Sequence, residues 1–242
     1  MLLRRLTQHV KNQNWFAVWL DFAIVVVGVF VGLQVSNWND AARVQSLEES
    51  YLVRLAEELT SNIESFEAET KFADESRATL EKFLEALRNP STSDTVLVHR
   101  TTDYISIGTF FASFRPSQAT FDDLKSTGNL DIIRDQELRE ALVKLHALYG
   151  TSRESFDVNL SWLLPVDSDV YSSFDALRFD ARTAPHFPQQ TTEATAQYIR
   201  EHKEMLTRHA ALHLWLKVRA VELLNDSRDR SGTVLSQIEK LR

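Results

Sequence analysis

The chain has no cysteine among its 242 residues, only 6 glycines and 5 prolines, and no excess of positive charge. Without cysteine there is no disulfide, no thiolate metal ligand and no cysteine nucleophile. The glycines are too far apart to build GxGxxG or GxxxxGK, which excludes the common phosphate-cradling loops. A net charge of −7 argues against a general nucleic-acid binder, which needs a basic face. No GxSxG turn is present, and no cofactor-binding motif. The chain is therefore expected to be no enzyme, to carry no cofactor and to bind no nucleic acid.

What is present is a folded composition, 43% apolar and 25% charged, with one unusual segment. Residues Phe16 to Val35 read FAVWLDFAIVVVGVFVGLQV. As a helix this run is roughly 30 Å long, the thickness of a bilayer core. Thirteen of its residues are Leu, Ile, Val or Phe, and together they favour insertion by about 6 kcal/mol. Asp21 opposes this by about 3 kcal/mol at the centre and less near an edge. Trp15 and Trp19 flank one end and Trp38 the other, as membrane-interface anchors do.

Arg4, Arg5 and Lys11 precede the run with no acid among them, which places the N-terminus in the cytoplasm. The segment that follows, SNWNDAAR, has no convincing small-x-small cleavage site, so an uncleaved anchor is expected over a signal peptide. The expected organisation is a cytoplasmic tail over 1–14, a transmembrane helix over 15–38 and an extracytoplasmic domain over 39–242.

Between Gly32 and Asn89 there is neither glycine nor proline. Val44, Leu47, Tyr51, Leu55, Leu59, Ile63 and Phe66, then Leu80, Leu84 and Leu87, recur at helical spacing. This predicts a long helix ended by Asn89-Pro90 and continuous with the anchor, with a hinge at Asn37 to Asp40 as the alternative. Residues 90–101 are expected as a loop. Asp103 to Phe114 is expected as a short helix, or else a strand. Ala119 to Thr127 is expected as a helix stopped by Gly128.

Asp135 is expected to cap the next helix, which runs to about Tyr149 or on to Trp162. Pro165 is expected to begin an irregular stretch, with Tyr171 to Asp175 a turn and 178–190 a loop. Thr191 to Arg230 is expected as the second long helix, with Tyr198, His202, Met205, His209, Leu212, Leu216 and Leu223 on one face. The resulting fold class is all-α: a single N-terminal transmembrane helix followed by an antiparallel extracytoplasmic helical bundle with two long helices.

Two segments carry a resemblance. WLDFAIVVVGVFVGLQVSNWN resembles the N-terminal signature of a bacterial membrane-anchored family of unknown function. Asp21, Leu33, Gln34, Asn37, Trp38 and Asn39 match it, with Asp21 in place of the family's usual Glu. SFRPSQATFDDLKSTGNLDIIRDQELREALVKLHALY is similar to the family's middle segment, including Leu124, Gly128, Asn129 and Leu130. The resemblance implies a single-span anchor with a helical extracytoplasmic domain, and imports no activity.

Three groups of residues are candidates for function. Asp21, Gly28 and Gly32 fall close to one face of the anchor, and Gly28-x-x-x-Gly32 is a small-xxx-small pattern that lets helices approach closely. They are the expected helix-packing interface. The expected partners are the lipid bilayer and either a second copy of the chain or another membrane protein. His209 and His213, one turn apart, are weak metal candidates, since no third ligand stands nearby in sequence, and His202 shares the apolar stripe. Phe110, Phe111, Phe114 and Phe121 are expected as a core plug, with a partner groove as the alternative. The acids Glu48, Glu49, Glu57, Glu58, Glu64, Glu67 and Glu69 are expected on a solvated face.

The expected function is that of a membrane-anchored interaction or scaffold protein of the bacterial inner membrane. A sensory or ligand-binding periplasmic ectodomain signalling through a partner is the alternative. An ion-coupled membrane subunit using Asp21 is the second alternative.

Overall fold

The run without glycine or proline and the apolar segment before it form one helix, α1, Trp15–Arg88. A computed structural model describes residues 15–173, 178–180, 183–186 and 192–242. The tail over 1–14 lies outside them, as does the side chain of Trp15. The chain forms two units, Met1–Ser50 and Tyr51–Arg242.

In the first unit nearly the whole apolar run is exposed: Trp19, Phe22, Val25, Val29, Phe30 and Leu33 all present large surfaces. Val44 and Leu47 are also exposed.

In the second unit the α1 stripe is buried from Tyr51 onward, through Leu55, Leu59, Phe66, Leu80, Leu84 and Leu87. Helix α2, Asp94–Asp103, follows and passes into a π turn at Tyr104–Gly108. This corrects the loop expected over 90–101. Ser93 caps α2 by accepting a hydrogen bond from the Val96 amide at 3.4 Å, and Asp94 sits where the helix dipole favours an acid. The wider π turn brings Tyr104, Ile105 and Gly108 inward together.

The helix expected to run on to Phe114 stops at Gly108 because α1 supplies other partners for the backbone. Ser76 Oγ donates to the Ile107 carbonyl at 2.9 Å. Glu69 accepts from the Ser113 amide at 2.8 Å and from its hydroxyl at 2.6 Å. Asn62 bonds both the amide and the carbonyl of Ser117, at 2.8 and 2.9 Å. Glu58 accepts from the Thr120 amide at 2.9 Å, in the first turn of α3, Ala119–Ser126. Buried or half-buried backbone groups need such partners. Two of the acids expected in solvent therefore pin this segment to α1.

Gly128, with φ of +70°, ends α3 in the left-handed region that glycine tolerates. A short 3-10 turn, Leu130–Ile132, leads to α4, Gln136–Ser173. Asp135 caps α4 through the Leu138 amide at 2.7 Å. Helix α4 continues through Gly150, the longer of the two expected courses, and through Pro165, where an irregular stretch was expected, and it includes Tyr171 to Ser173. Proline inside a helix costs about 3 kcal/mol. Leu163 and Val170, buried on either side of it, offset that cost through tertiary packing.

Two short strands, β1 (Arg178–Asp180) and β2 (Thr183–His186), pair antiparallel where a loop was expected. Phe174, Asp175 and residues 187–190 lie outside the described residues. The last expected helix is two: α5, Thr192–Glu201, and α6, Lys203–Leu241, which runs through Gly232. The described body thus has three long helices, α1, α4 and α6, not two.

They share two cores. The first joins Tyr51, Leu55, Leu59 and Phe66 of α1 with Leu138, Leu142, Leu145 and Tyr149 of α4 and Leu224, Val234 and Ile238 of α6. The second joins Leu80, Phe83, Leu84 and Leu87 of α1 with Val170 of α4 and Leu206 and Ala210 of α6, closed by Leu97, Tyr104 and Ile199. Helices α1 and α4 pass through the cores in one order and α6 in the reverse order. Of the four phenylalanines, Phe114 and Phe121 are core, Phe111 is half-buried and Phe110 is exposed.

Candidate functional site

The buried face of α6 holds Leu206, His209, Ala210, His213, Leu216, Lys217 and Ala220. Residues four apart lie above one another on a helix, so His209, His213 and Lys217 form a polar column inside an apolar face. A buried polar group needs a partner, and each of these finds one on another element.

Asp167, two residues beyond Pro165 on α4, supplies the partner for both histidines. Its Oδ1 accepts from His209 Nε2 at 2.7 Å and from His213 Nε2 at 2.7 Å. The histidines are almost fully buried, 1% and 0% exposed, and Asp167 keeps 23% of its side chain in solvent. Tyr104, brought inward by the π turn, bonds His209 Nδ1 through its hydroxyl. Phe83 stacks on Tyr104 at 4.2 Å, nearly parallel, and holds the ring in place. Lys217 donates to the Phe110 carbonyl, and its ammonium lies 4.8 Å from the centre of the Phe111 ring. Phe111 in turn packs on His213.

Proton positions follow from this connectivity. An ionised carboxylate only accepts, so both Nε2 atoms carry hydrogen. With hydrogen on Nε2, His209 presents Nδ1 to the Tyr104 hydroxyl. His213 Nδ1 is buried with no hydrogen-bond partner among the described residues.

Burial pushes the Asp167 carboxyl up, but the hydrogen bonds and charges of His209 and His213 together outweigh it and bring it to about 2. Burial lowers His213 below the usual histidine range, and the charges of His209 and Lys217 lower it further, against the pull of Asp167. Burial lowers Lys217 to about 8, also against Asp167. At neutral pH Asp167 is a carboxylate, His213 a neutral imidazole and Lys217 an ammonium held against its burial.

The ammonium has a measurable consequence. Holding a lysine at about 8 instead of 10.5 costs the folded state about 3 kcal/mol while it is charged. The Phe110 carbonyl also has the Ser76 hydroxyl at 3.4 Å, so it keeps a neighbour when the lysine is removed. Lys217→Met is expected to stabilise the protein by about 1–2 kcal/mol at pH 7. The gain should shrink as pH rises from about 8 to 10.5, because the wild-type lysine then sheds its proton and its penalty. Urea denaturation of both proteins across that range measures it.

The structure places the expected site residues in two separate settings. Asp21, Gly28 and Gly32 are exposed on α1, and a methyl group added at either glycine would meet nothing within 4 Å. Trp19 and Trp38 are exposed near the ends of the apolar run. His209 and His213 do meet, and the third donor that sequence spacing did not supply is Asp167. His202 is the residue preceding α6 and lines an open groove of about 430 Å³ with Val166, Val170, Met205 and His209. No family model matches this sequence, and no curated protein or solved structure is similar to it.

Proposed function

We propose that the chain is a single-span membrane protein that acts by contact with a second span. In this reading residues 1–14 are cytoplasmic, 15–38 cross the inner membrane of a bacterium, and 39–242 form an extracytoplasmic antiparallel helical bundle. One observation carries it. Among the described residues, α1 holds an 18-residue window with a mean hydropathy of 2.0, and none of that window is buried. Water does not tolerate a continuous apolar surface of that size, and a bilayer does.

The face used for association is that of Asp21, Gly28 and Gly32. In lipid, helices associate by close packing, which glycines four apart allow. Both glycines have open space beside them, so a second helix can approach there. Asp21 lies one side of the same face, where a polar group finds a partner more readily than in lipid.

The test uses the absence of native cysteine. With a single cysteine at Val25, three residues before Gly28, oxidation in membranes is expected to give a disulfide-linked species. Gly28→Leu with Gly32→Leu is expected to reduce that species at least about fivefold. Unchanged cross-linking would contradict the packing face.

The ligand-binding alternative finds no support in the first core. The space between Leu55, Leu59, Phe121, Leu142 and Tyr149 is about 20 Å³, room for one water and not for a small molecule.

A further inference from the structure

We propose that Asp167, His209 and His213 form a binding site for one divalent transition-metal ion, with zinc the best fit. The site lies in the helical body and does not depend on how the anchor packs.

The donor set is the first ground. Two imidazoles and one carboxylate suit zinc and related first-row ions, and they leave a fourth position for water. The second ground is convergence. Both Nε2 atoms point at the same carboxylate oxygen, and the three donor atoms lie within 4.8 Å of one another. An ion pair built only for charge would be free to use both carboxylate oxygens. Here both imidazole nitrogens are drawn to one carboxylate oxygen, which brings the three donor atoms together.

The third ground is support. His209 and His213 sit one turn apart on the buried face of α6, and Asp167 comes from the facing helix α4. Tyr104 fixes His209 from behind through Nδ1, the outer-shell contact that orients a metal-bound histidine. The fourth is access. Asp167 is partly exposed, and the open groove reaches His209.

Binding needs a small adjustment at the aspartate. Tetrahedral zinc with bonds of about 2.0–2.1 Å holds its ligand atoms about 3.3 Å apart. Each Nε2 to Oδ1 gap therefore opens from 2.7 Å by about 0.6 Å, which rotation of the partly exposed aspartate accommodates. The ion takes the place of the two Nε2 hydrogens. A ring that carries its hydrogen on Nε2 passes it to Nδ1 and so keeps its proton. At His209 that N–H then donates to the Tyr104 oxygen. At His213 it occupies the nitrogen that has no hydrogen-bond partner in the described structure.

The experiment takes the full-length protein in mild detergent, stripped with a chelator, and titrates zinc chloride by calorimetry and elemental analysis. One equivalent per chain is expected. Asp167→Asn and His213→Ala should each weaken binding at least about tenfold, and Tyr104→Phe by about 10–100-fold. His99→Ala, at an exposed histidine, should leave it unchanged.

Circular dichroism checks that the variants fold. Nitrogen NMR of the wild-type histidines gives a readout independent of any variant: two rings should exchange an Nε2 hydrogen for an Nδ1 hydrogen on adding zinc. Well under one equivalent at saturation would overturn the proposal. So would equal affinity in Asp167→Asn, loss only in His99→Ala, or unmoved histidine tautomers.

Discussion

Val26→Lys combined with Val29→Lys is expected to move the protein from the membrane fraction to the soluble or aggregated fraction. On the proposed reading the native run is expected to insert with a margin of about 3 kcal/mol, the apolar residues supplying about 6 and Asp21 opposing by up to about 3. A lysine near the middle of a span costs about 3 kcal/mol where a valine contributed a few tenths. Two exchanges therefore remove about 7 kcal/mol and reverse the sign of insertion. Both side chains are exposed on α1, so the substitutions disturb no internal packing of the chain. Sedimentation after alkaline carbonate extraction measures the outcome. Firm membrane retention of the double variant would mean that something other than this run holds the protein there.

Phe83→Ala is expected to be the most damaging single truncation near the metal candidate. Phe83 is fully buried in the second core and lies flat against Tyr104. Removing a buried phenylalanine costs about 3–5 kcal/mol, through lost burial and the cavity left behind. For a body of this size that is a fall of roughly 10 °C in Tm. Phe110→Ala should change Tm by no more than about 3 °C, since that ring is exposed and its carbonyl, which Lys217 uses, is retained. Thermal scans of the two variants beside the wild type make the comparison. Equal losses would contradict the placement of the second core.

The contrast between these two phenylalanines shows what was legible. Helix α1 was, because nothing in it breaks a helix and its leucines recur at regular steps. Its end at Asn89-Pro90, the glycine stop at Gly128 and the cap at Asp135 are local chemistry and read directly. The buried face of α6 was not. Apolar spacing puts His209 and Leu216 on that face correctly but falls one position short at Met205, Leu212 and Leu223, because the face that packs inward carries His213, Lys217, Ser227 and Ser231. Polar residues in core positions hide a stripe from any count of apolar spacing.

Tertiary packing hid the rest. Helix α4 passes through Pro165 because Leu163 and Val170 are buried around it. The end of the π turn at Gly108 depends on Ser76, Glu69 and Asn62 taking up the backbone that follows, 31 to 55 residues away along the chain. Asp167 stands 42 and 46 residues from the histidines it joins. Spacing along a helix can pair His209 with His213, but only the packing of α4 on α6 adds the carboxylate. A small signal was available at Ser93-Asp94, a helix-start pair that marks α2 inside a stretch read as a loop.

The claim on which the account rests is that residues 15–38 cross a bilayer with the helical body beyond it. A membrane-impermeant maleimide tests it directly, since the chain contributes no cysteine of its own. Two single-cysteine proteins are made, at Thr7 and at the exposed Ser236, and labelled in spheroplasts before and after lysis. The account predicts that Ser236→Cys reacts in intact spheroplasts and that Thr7→Cys reacts only once they are lysed. Labelling of Ser236→Cys only after lysis, or of both without it, would contradict the account.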